Sequence, residues 1–159
     1  MKKTILLLVV VIIASCNQKN SVEIKGQIDN VKNKTIYLEE ILLGNTEIID
    51  SAKINKKGVF SLSKNIDYPK FFKIGIKESA SITLLAKPGE KINLDIADKN
   101  FSNYAVEGSP GSKKVKKLES RLKSTKAKLD SLTELYQKVQ EESNNKEKLA
   151  EIDEEYRKV

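Results

Sequence analysis

Residues 81–97 read SITLLAKPGEKINLDIA. In the second half of this stretch Ile92, Leu94 and Ile96 alternate with Lys91, Asn93 and Asp95. A period of two places the apolar three on one face of a strand and the polar three on the other. Between the two apolar runs, Pro88 presets φ near −65° and Gly89 accepts a positive φ, the pairing that a type II turn requires. Strand, tight turn and half-wet strand together describe an antiparallel layer with one buried face.

Working outward, the same grammar covers residues 22–108. Seven further runs contribute strands: VEIKGQI, KTIYLEE, EIIDSAKI, GVFSLS, KFFKIGIK and YAVEG, with SITLLA itself making the seventh beside EKINLDIA. Val22, Ile24 and Ile28 continue the alternation in the first of them. Asn55-Lys56-Lys57-Gly58 joins two runs as Lys87-Pro88-Gly89-Glu90 does, and both are expected to close hairpins. Pro69 falls where a strand opens, a position at which a missing N–H is tolerated. Eight short strands with one apolar face each predict an antiparallel β-sandwich-like domain or flattened barrel.

At Ser109-Pro110-Gly111-Ser112 the pattern changes. Apolar residues fall at Val115, Leu118, Leu122, Leu129, Leu132, Tyr136 and Val139, with Thr125 filling the one gap, so the spacing alternates three and four. That is the stripe of a long amphipathic helix over 112–143. Asn144-Asn145 interrupts it, and Leu149, Ile152 and Tyr156 restart it on a short second helix. The chain is therefore expected to be α+β, with residues 22–108 as the β-domain and 109–159 as a helical segment.

The N-terminus carries a different signal. Lys2 and Lys3 precede ten unbroken apolar residues, Ile5 to Ala14, and the small residues Ala14 and Ser15 stand directly before Cys16. A charged start, a short apolar run and a small-residue site are the parts of a signal peptide, here residues 1–15. Spanning a bilayer takes ~20 apolar residues, about twice this run. Ile13-Ala14-Ser15-Cys16 resembles the bacterial lipobox, in which the cysteine sulfur takes a diacylglycerol and the peptide is cut just before it. Cys16 would then open the mature chain, and residues 16–21 would form a lipidated cysteine and polar tether. More than one acyl chain gives stable membrane attachment, so the expected location is the cell envelope, on a membrane, with the outer membrane facing the periplasm as the expected site.

Composition narrows the function classes. Cys16 is the sole cysteine, so no disulfide is expected within the chain. The absence of His removes histidine triads and histidine metal sites. Glu39 and Glu40 are adjacent on a strand and face opposite ways, a poor acid/base pair. Gly108 and Gly111 flank Pro110 without the Lys-Ser/Thr spacing of a phosphate loop. Of Tyr68, Phe71 and Phe72, one phenylalanine is expected in the core and Tyr68 at a rim. No catalytic residue, cofactor or metal ligand is expected.

The helical segment is polarised. Lys113, Lys114, Lys116, Lys117, Arg121, Lys123, Lys126 and Lys128 stand against Glu119 alone, whereas residues 129–155 hold nine acids and three lysines. Cations at a helix start oppose the macrodipole. The pattern suggests a partner for the 113–156 helices: an antiparallel second copy, another protein, a missing downstream domain, or anionic lipid near the tether. The net charge of +7 is not read as a nucleic-acid footprint in an envelope protein.

The segments IYLEE (36–40), IDSAKINKKGVFSL (49–62), YPKFFKI (68–74), LLAKPGEKINL (84–94) and YAVEGSPGS (104–112) together resemble the β-rich domain of unknown function 4369. That domain precedes the catalytic part of many envelope thiol-disulfide oxidoreductases of the thioredoxin-like type. The resemblance implies a lipoprotein signal before the domain and a helical segment after it. The Cys-x-x-Cys pair of the longer relatives is not matched by any residue here, so no redox role is carried over. Two functions are expected from this: a membrane-anchored, non-catalytic binding or positioning module, or alternatively the N-terminal part of a thiol-disulfide oxidoreductase whose catalytic domain is missing.

Overall fold

The computed structural model describes residues 20–77, 81–142 and 145–159. Eight strands form two four-stranded sheets. They are β1 (Ser21–Ile28), β2 (Thr35–Ile41), β3 (Thr46–Lys53), β4 (Val59–Asn65), β5 (Lys70–Ile76), β6 (Ser81–Ala86), β7 (Lys91–Ile96) and β8 (Tyr104–Glu107). One sheet has the order β4-β1-β7-β8 and the other β3-β2-β5-β6. Two helices follow, α1 (Pro110–Glu142) and α2 (Lys146–Arg157). The chain is α+β, as the alternation and the helical stripe together predict.

Alternation does the packing. Ile24, Ile92 and Ile96 from one sheet and Ile36, Ile74 and Leu84 from the other are almost completely buried between the layers, with Phe60 and Phe72 as the largest side chains there. Their polar neighbours, such as Lys25, Asn93 and Asp95, face out. Each fully buried aliphatic side chain contributes roughly 1.5–3 kcal/mol, so a core of this kind needs no cross-link.

Two expectations are corrected. Both turns form, but differently: in 87–90 Gly89 takes φ +81° at the third position, as a type II turn requires, with Glu90 N–H donating to Lys87 C=O (3.2 Å), whereas in 55–58 Gly58 N–H donates to Asn55 C=O (3.0 Å), so that its φ of +81° falls at the fourth position. They do not close hairpins. β3 and β4 lie in different sheets, as do β6 and β7, so each turn is a corner carrying the chain across the sandwich. The sheets are also not wholly antiparallel, because β7 returns beside β1 in parallel, pairing Ile24 with Ile92 and Ile28 with Ile96. The corner at 87–90 forces this: Gly89 N–H donates to Ser21 C=O (3.1 Å) and Glu23 N–H to Glu90 C=O (3.0 Å), so β7 starts where β1 starts.

The pairings define two ends. At the entry end lie Asn20–Ser21, the β2–β3 turn, residues 66–69, the corner at 87–90 and the start of α1. At the far end lie residues 29–34, 54–58 and 97–103. α1 begins beside Leu85, near the end of β6. It then passes Tyr104 with Lys116 and Glu119 and reaches the level of Ser81 with Ser120 and Lys123. The helix therefore runs antiparallel to β6, from the entry end to the far end. Its remaining residues, 124–142, carry it ~28 Å further at 1.5 Å per residue.

Candidate functional surfaces

The base of the helix closes an edge of the sandwich. Ser109 is the N-cap: its hydroxyl oxygen accepts from Ser112 N–H (3.2 Å), its carbonyl accepts from Lys113 N–H (3.1 Å), and Pro110 occupies the first helical position. The same two serines satisfy the free edge of β6. Ser112 Oγ accepts from Leu85 N–H (3.2 Å) and donates to Leu85 C=O (3.1 Å), and Ser109 Oγ donates to that carbonyl too (3.0 Å). Both serines are buried. An unpaired strand edge invites association with another chain, and here a helix start covers it. The sequence signal was Ser109-Pro110, which marks the start more sharply than the apolar period beginning at Val115.

Further along, Tyr104 ties α1 to β8. Its hydroxyl donates to Glu119 Oε2 (3.3 Å), Lys116 Nζ donates to its carbonyl, and the same ammonium sits 4.9 Å from the ring centroid. Burial, followed by the negative charge of Glu119 and the hydrogen bond to it, pushes the phenol above its ordinary value. An open cleft of about 400 Å³ lies here, lined by Ser81, Phe101, Tyr104, Lys116, Glu119 and Lys123 among others. Next to it Asp98 organises residues 98–103. Burial raises its carboxyl, but hydrogen bonds from Asn103 N–H, the Ser102 hydroxyl, Asn100 N–H and Ser102 N–H outweigh that and hold it below the usual carboxylate range. Sequence reading singled out Lys116, Glu119 and Lys123 only as members of the polarised helix; their meeting with Tyr104 was not legible, because it needs β8 and α1 side by side.

Beyond the sandwich, α1 and α2 form a helical hairpin. Leu132, Val139 and Ile152 are buried against one another, with Tyr136, Leu149 and Tyr156 packed around them. Asn145 caps α2, its side-chain oxygen accepting from Glu147 N–H (3.1 Å) and Lys148 N–H (3.3 Å). α2 thus covers the outer half of the stripe and stops near Leu129, whose carbonyl accepts from the Tyr156 hydroxyl (3.3 Å). The inner half stays open: Leu118 and Leu122 are 58% and 60% exposed. Lysines flank these two leucines in sequence, whereas the hairpin groove beside Leu135 and Ile152 is lined by Glu151, Glu154 and Glu155 together with Lys148 and Lys158.

The remaining singled-out residues are kept apart. Cys16 and the rest of 1–19 lie outside the described residues. Glu40 pairs with Lys70 at 2.6 Å, both side chains being about four-fifths covered, while Glu39 stands opposite Ile48 and Lys73 beyond a bulge at Leu38/Glu39. The hydrogen bond to Glu40 raises the Lys70 ammonium above its ordinary value. Phe72 is core, Phe71 is half-exposed, and Tyr68 is an exposed rim residue beneath the Lys70 ammonium. Gly108 and Gly111 serve close backbone approach to Lys91 and Leu85. Among the described residues, no group of three or more His, Cys, Asp or Glu is placed to hold a metal ion, and no helix is long and apolar enough to cross a membrane.

The two-sheet domain with a capping helix start defines a class of β-rich module. The family model described as domain of unknown function (DUF4369) matches residues 22–115, more than half of the chain, and the protein belongs to that family. The match ends inside α1, at Val115, just past the serines that cover the β6 edge. Comparison with curated proteins returned no match.

Proposed function

We propose that the protein is a membrane-anchored envelope lipoprotein, held by acyl chains on Cys16 at the outer membrane facing the periplasm. Its β-domain acts as a non-catalytic spacer that positions a helical arm away from the bilayer. The observation that carries this reading is directional. The chain enters the sandwich at Asn20–Ser21, four residues after Cys16, and α1 leaves from the opposite end with the hairpin at its tip. Four residues reach at most ~14 Å when extended, so an anchor at Cys16 would keep the entry end against the membrane and the arm outward. The open Leu118–Leu122 surface, with its lysines, supports a role in recruiting a protein partner or a second copy.

The test is processing and location of the full chain. Mass spectrometry of the membrane fraction should give an acylated N-terminal Cys16, and Cys16→Ala should release or mislocalise the protein. Unchanged processing and retention of the Cys16→Ala protein would overturn the anchor.

A further inference from the structure

The entry end carries exposed apolar side chains that the sandwich does not use. The β2–β3 turn reads Leu42-Leu43-Gly44-Asn45, closed by Leu42 N–H to Asn45 C=O (3.0 Å), with Gly44 at φ +88°. A turn of this kind ordinarily carries polar residues. Leu43 at its tip is fully exposed and Leu42 is 39% exposed. On the same end, Tyr68 is 61% exposed in the link between β4 and β5. The register shows that these belong together: Ile41 pairs with Thr46, Glu40 with Phe72, Lys70 with Ala86 and Ser21 with Asn65, so the tip, the Tyr68 link and the chain entry all lie at one end of the strands.

The charges at that end are mixed. Lys64, Lys87, Lys113 and Lys114 are exposed there, as are Glu47, Asp67 and Glu107. The first turn of α1 holds no acid, although a helix start favours one. Lys113 and Lys114, exposed in the first turn of α1, lie near the end at which the described chain begins, on the side of the sandwich opposite the β2–β3 turn. Four strands of spacing near 4.8 Å separate the two sides by roughly 15 Å, which makes the end a small flat base with an apolar tip at one margin and lysines at the other.

We propose that this base is a membrane-docking face: Leu42 and Leu43 enter the interfacial layer of a lipid bilayer, Tyr68 sits at its headgroup level, and Lys113 and Lys114 meet anionic headgroup phosphates. The inference rests on the reading that the chain is tethered through Cys16, which stands four residues before Asn20, where the described chain enters at this same end. Interfacial aromatic and leucine side chains with flanking lysines are the chemistry a headgroup boundary accepts. Docking fixes the orientation of the domain on the membrane, which a flexible tether alone leaves free, and so aims the arm outward.

The chain contains no Trp, so a single introduced one reports its own surroundings. The full chain is held on vesicles of phosphatidylcholine with one-fifth anionic phospholipid through Cys16, either by the lipid it carries or by coupling its thiol to a maleimide-bearing lipid. This arrangement separates failure of the docking face from failure of native lipidation, which the mass of Cys16 reads by itself. The Leu43→Trp protein should show blue-shifted emission and quenching by lipids brominated along their chains. The Leu122→Trp protein, with its reporter on the arm, should show neither. A Tyr68→Trp reporter should shift towards a water-exposed spectrum when Leu42→Ser and Leu43→Ser are added, changes at exposed positions that leave the core untouched. Emission from Leu43→Trp as water-exposed as that from Leu122→Trp, on tethered protein, would overturn the docking face.

Discussion

Ser112→Ala tests whether the start of α1 is part of the sandwich. The serine hydroxyl is buried and makes two bonds to the β6 edge, accepting from Leu85 N–H (3.2 Å) and donating to Leu85 C=O (3.1 Å). Without it the carbonyl keeps Ser109 Oγ at 3.0 Å, but the Leu85 N–H has no acceptor. A buried donor left unsatisfied costs ~1–3 kcal/mol. Alanine recovers up to ~0.5 kcal/mol through its higher helix propensity. The expected loss is therefore ~1–2 kcal/mol. Urea unfolding followed by circular dichroism should give a lower midpoint at unchanged slope. Amide exchange should accelerate at Leu85 more than at Leu84, whose N–H faces β5. The exposed Ser120→Ala change on the same helix serves as a control and should be neutral or slightly stabilising. An unchanged midpoint with undiminished protection at Leu85 would show that α1 is not held on the β6 edge.

Three further outcomes follow from the geometry. Gly108 has φ +79° and a Cβ there would lie 1.8 Å from the Lys91 carbonyl oxygen, so Gly108→Ala should cost more than ~2 kcal/mol, read as a lowered midpoint. The raised Tyr104 phenol means that the folded state holds this proton more tightly than the unfolded chain. Its contribution is present at neutral pH and is lost as pH climbs above the unfolded value near 10, so wild-type stability should fall there more steeply than that of Tyr104→Phe. Sedimentation of the protein should show a dimer that weakens as salt shortens the screening length and in Leu118→Asp plus Leu122→Asp, because the exposed leucines of one copy, flanked by lysines, can meet the groove of another, in which three glutamates outnumber Lys148 and Lys158. A salt-insensitive monomer would remove the second copy as a partner.

The strands and helices were legible because each has a period that survives in one dimension. Ile92, Leu94 and Ile96 announce a half-buried strand wherever it sits, and Leu149, Ile152 and Tyr156 after the break at Asn144-Asn145 announce a second helix, whose cap at Asn145 only the structure shows. Which strands pair was not legible. A turn such as 87–90 specifies a reversal of the chain and says nothing about whether the next strand joins the same sheet or crosses to the other, and that is where the hairpin expectation failed. The stripe on α1 had the same ambiguity. Val115 to Val139 reads as one continuous face, yet α2 covers only the outer half and the domain holds only the first turns. The entry-end surface was invisible for a further reason: Leu43, Tyr68 and Lys113 are far apart in sequence and share an end only through the topology.

In the proposed arrangement the domain stands between the membrane and the arm. Energy transfer to headgroup-labelled lipids measures this on the full lipidated chain, with donors placed singly at exposed Asn45→Cys on the entry end and exposed Gln140→Cys near the end of α1. Thirty residues of helix separate the start of α1 from position 140, ~45 Å at 1.5 Å per residue. This arrangement gives efficient transfer from position 45 and weak transfer from position 140. Equal, efficient transfer from both would mean that the arm lies along the bilayer, and would contradict it.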